Sequence, residues 1–152
     1  MIDGGLRPTF RNKLRRGVHW QSIETGGTGT GIPDSNFCGV GVGEGWVEFK
    51  STDAWSVGID AEQVGWLKTR QLHGGRTFLA VRRHHSGGPR KGAGVDELWL
   101  CSGWWAGAVR TSGLRAEEVV WLGVWSGGAS RWDWDEVRAV LATPLEELRP
   151  PR

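Results

Sequence analysis

The sequence predicts an α/β protein, a mixed β-sheet flanked by helices. Three observations carry that expectation. Runs rich in β-branched and aromatic residues read as strands, among them Gly45 to Ser51 (GWVEFKS) and Arg76 to Arg83 (RTFLAVRR). Between those two runs lies Asp60-Ala61-Glu62-Gln63, a helix start with an acidic N-cap and a glutamine three residues on. With two further strands upstream, the order is β-β-β-α-β, and a helix between strands marks the α/β class.

The first element is a short helix over Pro8 to Arg16, with Phe10 and Leu14 forming its apolar stripe and Gly17 ending it. Arg11 and Arg15 share another face, which is either solvated or a phosphate contact. Val18 to Glu24 reads as a strand. The glycine-rich run Thr25 to Gly31 lacks the GK[ST] ending of a phosphate-cradling loop; it is either a DNA-facing loop or a plain flexible one. Asn36 to Val42 and Trp46 to Ser51 form a hairpin around Gly43-Glu44-Gly45. Residues 52–58 are a loop. The helix opened by Asp60 runs to a stop at His73-Gly74-Gly75, with Val64, Leu67, Leu72 and Trp66 on its apolar side.

Residues 84–94 (HHSGGPRKGAG) read as a basic loop carrying Arg90 and Lys91, either DNA-contacting or a solvent-exposed linker. Beyond it, Asp96 to Cys101 is a strand, Trp104 to Arg110 a short helix, and Glu118 to Trp125 a buried strand. Asp133-Trp134-Asp135-Glu136 opens a last helix through Leu141. The tail Pro144 to Arg152 is expected to fray. The last 60 or so residues are short for a separate fold, so they are expected to extend the same sheet.

Composition narrows the classes. The 152 residues suit one domain, with a core at about 8–83 and an αβ extension at about 95–143. No apolar run is long enough to span a membrane, and the N-terminus passes through Asp3, Arg7 and Arg11 without an apolar segment. A soluble intracellular protein is expected. Cys38 and Cys101 are expected to be buried free thiols; neither has a CxxC neighbour, which argues against a zinc site, and the four histidines are too scattered for a metal cluster. Net charge is only +2, but residues 1–20 carry five basic side chains against Asp3 alone. That front end suits a polyanion. The 11 tryptophans fill core or interface, or offer faces on which bases stack.

Chemistry concentrates at Gly31-Ile32-Pro33-Asp34 and, fourteen residues beyond Asp34, at Glu48-Phe49-Lys50. Side chains alternate along a strand, so Glu48 and Lys50 share a face about 7 Å apart. Both project from a segment apolar enough to be buried, where charges are costly without partners or a task. Pro33 fixes the direction in which the backbone enters Asp34. Two carboxylates converging with a lysine suit a hard divalent cation and a phosphodiester. The lysine can orient water or offset charge on phosphate oxygens. Glu24, just before the glycine-rich run, is either an additional metal ligand or an exposed strand end.

Pro33-Asp34 and Glu48-Phe49-Lys50, with their spacing, resemble the PD-(D/E)XK nuclease superfamily. The run GIPD…WVEFK…IDAEQVGWLKTRQLHGGRTFLAV, over roughly residues 8–83, is similar to archaeal-type Holliday-junction resolvases and virus-type replication-repair (VRR-NUC) nucleases, phage enzymes included. In those relatives a glutamine-bearing helix follows the ExK strand and a GG-led strand comes next; Gln63 matches that glutamine. The resemblance implies a restriction-endonuclease-like fold. It implies a Mg²⁺ or Mn²⁺ site on Asp34, Glu48 and the Phe49 backbone carbonyl, with Lys50 and Gln63 as further catalytic residues. It implies hydrolysis of branched double-stranded DNA by a homodimer, in DNA recombination and repair, inside the cell. Arg7, Arg11, Arg15, Arg16, Arg90 and Lys91 are the expected DNA contacts. The resolvases usually carry a further glutamate in the first helix; this chain has no acid there, so either Glu24 stands in or two carboxylates suffice. Alternatives are a replication-repair or restriction-type nuclease on flaps or linear duplex, and a catalytically silent DNA-binding module.

Overall fold

A computed structural model describes residues 3–24 and 29–151. Six strands form one sheet in the order of the chain: β1 (Val18–Ser22), β2 (Ser35–Gly39), β3 (Gly43–Thr52), β4 (Thr77–Gly88), β5 (Gly92–Ser102) and β6 (Trp121–Trp125). Neighbours pair antiparallel except β3 and β4. Those two run parallel, which requires a long crossover, and the helix α2 (Ala61–Leu72) supplies it. With α1 (Leu6–Lys13), α3 (Ala106–Ser112) and α4 (Trp134–Leu141), the chain is α/β, a six-stranded mixed sheet flanked by four helices.

Alternation along β3 divides the core. Val47 and Phe49 point to the face where Leu6, Phe10 and Leu14 of α1 and Val137 and Leu141 of α4 pack. Glu48 and Lys50 point to the other face. Their register partners on β4, Leu79 and Val81, pack there with Leu67 of α2 and Val109 of α3. That second cluster contains no residue of β1 or β2. His19, Gln21 and Cys38 on the same face are exposed. Among the described residues, the half of the sheet beside Glu48 is therefore open to solvent.

The C-terminal segment does extend the sheet, as β5 and β6. Several elements depart from expectation for identifiable reasons. The helix α1 begins at Leu6, not Pro8: the Asp3 carboxylate accepts from Gly5 N at 2.9 Å, Gly5 takes φ 76°, and Pro8 sits in the first turn, where a missing N–H costs nothing. The helix ends at Lys13, so Arg15 and Arg16 fall beyond it. The β2–β3 turn is Val40-Gly41-Val42, with Gly41 at φ 73°, and Gly43-Glu44-Gly45 belongs to β3. On α2 the buried position is Gln71, and Leu72 is exposed. Leu67 and Gln71 stack at i, i+4, and Gln71 Nε2 donates to the Thr77 and Ser102 hydroxyls at 3.0 and 2.9 Å.

Residues 84–94 are not a loop. They close the β4–β5 hairpin through a turn at 89–91, where Lys91 N donates to Gly88 O at 3.1 Å. The strand expected over Glu118 to Trp125 shortens to β6, a half-buried edge strand with a bulge opposite Leu100 and Cys101. The tail does not fray over its described length: Leu148 is buried in the α1/α4 cluster. Arg76 also anchors the end of α4 by donating to the Leu141 and Thr143 carbonyls. Both cysteines are free, but Cys38 is exposed while Cys101 is buried. Trp132 is buried, and Trp99, Trp105, Trp121, Trp125 and Trp134 pack against the two clusters.

Candidate active site

Asp34 lies one residue before β2, and Glu48 sits where the β2–β3 ladder has just ended at the pair Ser35 and Val47. Beyond that pair the β2-facing edge of β3 has no strand partner, and the Asp34 side chain takes over. Its Oδ2 accepts from Phe49 N at 2.9 Å. In an extended strand a residue's N–H and C=O project to the same edge, so the Phe49 carbonyl also faces the Asp34 side.

Glu48 is only 2% exposed. Its Oε1 accepts from Gln63 Nε2 at 2.9 Å and lies 3.7 Å from Lys50 Nζ. Its Oε2 is buried with no partner. Burial pushes the Glu48 carboxyl up to about 8, the nearby Asp34 charge pushes the same way, and Lys50 opposes both. An orphaned carboxylate oxygen beside a second carboxylate is an unfavourable arrangement, and a bound cation would relieve it.

The Gln63 amide cannot turn freely. Its Oε1 accepts from Asp60 N at 3.1 Å in the capping box of α2. The amide NH₂ is thereby aimed at Glu48. The sequence pattern marks this capping box only as a helix start, so the role of Asp60 in aiming the glutamine escapes a reading by motif. The pattern itself held the signal: N3 of α2 is the position that both caps the helix and reaches β3.

The other expected site residues divide. Glu24 is exposed, just past the point where Ile23 N donates to Asp34 O at 2.9 Å. Among the described residues no three His, Cys, Asp or Glu side chains group as a metal cluster, so Glu24 does not complete one with Asp34 and Glu48. Arg11 bonds the hydroxyl of Ser22, and Arg82 Nη1 donates to Gly4 O at 2.7 Å. These contacts place Arg11, and Arg7 near the start of the same helix, at the Asp34 end of the sheet. Arg7 is ion-paired to Asp3 at 3.7 Å. Arg90 and Lys91 form the tip of the β4–β5 hairpin, and Lys91 lies 3.4 Å from Asp53, just past the end of β3. Arg15 and Arg16 sit at the opposite end. Arg138 donates to both Arg16 O and Val40 O, at 2.9 and 3.2 Å, beside the β2–β3 turn. Most of the glycine-rich run from Thr25 lies outside the described residues.

Comparison with family models, curated proteins and solved structures returns no match.

Proposed function

We propose that the chain is a metal-dependent, structure-selective DNA endonuclease of the PD-(D/E)XK kind, hydrolysing phosphodiester bonds in branched DNA. The observation that carries this reading is the convergence of Asp34, Glu48, Lys50 and Gln63, with Glu48 Oε2 buried and unpartnered. A catalytically silent module would have no need to sustain that cost.

Asp34, Glu48 and the Phe49 carbonyl are the groups that would hold Mg²⁺ or Mn²⁺. Such an ion, when bound, lowers the pKa of a coordinated water and offsets charge on phosphate oxygens. The protein's own groups do the rest. Gln63 keeps Glu48 oriented from one side. Lys50, fixed by Glu48, presents an ammonium to the attacking water and the developing oxyanion. The open half of the sheet next to Glu48 gives a duplex access, and Arg7, Arg11, Arg90 and Lys91 supply phosphate contacts at that end. Each chain carries one such site. A four-way junction cut in two opposed strands therefore requires two chains, and we take the active unit to be a homodimer.

The test is incubation with Mg²⁺ or Mn²⁺ and a panel of four-way junction, flap, linear duplex and single strand. Branched substrates should be cut in preference, and Glu48→Gln should be inert. Failure to cut any of them with either ion, or wild-type cutting by Glu48→Gln, would refute the assignment.

A further inference from the structure

A second feature lies one strand pleat from Glu48. The outward side of α2 borders a cleft of about 780 Å³, closed on its far side by Thr30 and the backbone that follows. Gly31, at φ 84°, lies so close to the carbonyl of Glu62 that a Cβ there would stand 2.5 Å from it. The volume is in the range of small-ligand sites.

Its wall is aromatic and cationic. Trp66 is half-buried and meets Trp46 edge-on, ring centroids 5.2 Å apart. The Arg70 guanidinium sits 4.5 Å from the Trp66 centroid and 5.4 Å from that of Trp46. A guanidinium over an indole is a stacking platform that accepts any base, with a cation at hand for phosphate. Thr69 and His73 add hydrogen-bonding groups, and Glu62 is the one carboxylate on the lining.

Gly65 sharpens the point. It is inside α2, its φ is ordinary, and a Cβ added there would meet nothing within 4 Å. Glycine at such a position costs about 1 kcal/mol relative to alanine. No contact among the described residues explains it. Bare helix backbone facing a cleft would let a ligand approach closely.

None of Asp34, Glu48, Lys50 and Gln63 lines the cleft, but Trp46 and α2 connect it to them. Trp46 shares the strand face of Glu48, two residues away and so about 7 Å along β3. Gln63, which holds Glu48, is one turn before Trp66 on the same helix.

We propose that this cleft holds one unpaired nucleotide of the DNA next to the bond that is cut, its base stacked on Trp66 and its phosphate on Arg70. The inference rests on the nuclease reading and narrows its substrate class to branched DNA with an unstacked nucleotide at the branch.

Binding in EDTA, where no cleavage occurs, tests it. The probes are a duplex with a short single-stranded flap carrying 2-aminopurine at the branch, the same duplex without the flap, and a fully paired four-way junction. Wild type should bind the flap at least about tenfold more tightly than the linear duplex and change the aminopurine fluorescence, and Trp66→Ala should lose about that factor on the flap alone. Gly65→Leu guards against misfolding as an explanation. It meets open space, raises helix propensity, and fills the cleft; a more heat-stable protein that has lost the flap preference is expected. Flap binding unchanged in both folded variants would overturn the proposal. So would a Gly65→Leu protein that keeps its flap preference but turns from dimer to monomer in sedimentation, because the cleft would then face a second copy. The two readings fail separately. Aminopurine stacking without cleavage by any metal-loaded protein removes the nuclease and leaves the cleft. Cleavage indifferent to Trp66→Ala and Gly65→Leu does the reverse.

Discussion

Replacing Glu48 with glutamine should stabilise the cation-free protein at high pH while removing its activity. The Glu48 carboxyl is held at about 8 against an ordinary 4.5. Below about pH 4.5 the folded and unfolded chains both keep the proton, and nothing is lost. As pH rises above that, the unfolded chain releases the proton while the folded chain retains it, so stability falls; the fall is complete once pH passes about 8. Integrated between about pH 5 and about pH 9, the loss is about 4 kcal/mol. Glutamine cannot ionise, keeps an oxygen for Gln63, and escapes the loss. The attraction of Lys50, 3.7 Å away, is already contained in the value of about 8, so it is not subtracted again. The gain at about pH 9 is then roughly 4 kcal/mol, and it should vanish near pH 5. Urea denaturation in EDTA at the two pH values measures it. Adding Mg²⁺ should stabilise the wild type at high pH and leave the variant unmoved. A wild type equally stable at both pH values, with Glu48→Gln weaker at both, would refute the argument.

Asp34→Asn and Lys50→Ala should each lower cleavage by at least ~100-fold with DNA binding largely kept, measured by single-turnover cutting and by anisotropy. Loading the site near pH 7 should displace about one proton, because Glu48 must ionise to bind a cation; calorimetry in buffers of different ionisation enthalpy reads this directly. Neutralising Arg7 and Arg11 together should flatten the salt dependence of DNA binding by roughly two in log–log slope, whereas neutralising Arg15 and Arg16 should leave it unchanged, since they lie at the far end of the sheet. Sedimentation equilibrium at micromolar concentration should show a dimer; a monomer that still makes paired nicks would exclude the homodimer.

The shared face of Glu48 and Lys50 was legible because strand alternation is local. Asp34 and Gln63 were placed beside them by motif spacing and the resemblance it carries, since their contacts with Phe49 and Glu48 each span 15 residues. Whatever depended on other non-local contacts was not legible. Arg15 and Arg16 fall outside the helix, which ends at Lys13 with Leu14 as its C-cap. Leu72 yielded its buried position to Gln71 because Thr77 and Ser102, from two different strands, supplied hydroxyls for an amide. The tail was held by Leu148, buried in the cluster that α1 and α4 build, and Arg76 fixes the segment just before it by reaching Leu141 and Thr143 across 65 and 67 residues of sequence. The glycine-rich 84–94 run looked like a loop because glycine depresses strand propensity, yet pairing with a long neighbour carried the ladder through Gly87 and Gly88.

The strictly sequential strand order has a kinetic consequence. Pairs joined by short turns, β2–β3 and β4–β5, close small loops and can form early. The β3–β4 pair must wait for residues 53–76 to fold back through α2, as β5–β6 must for residues 103–120. The late β3–β4 joint fixes Gln63 against Glu48. Pulse-labelled hydrogen exchange during refolding should therefore protect the amides of the two hairpins before those bridging β3 and β4. On this ordering, the carboxylate pocket assembles only after the hairpins, so a nascent or partly refolded chain would carry paired strands but no assembled site.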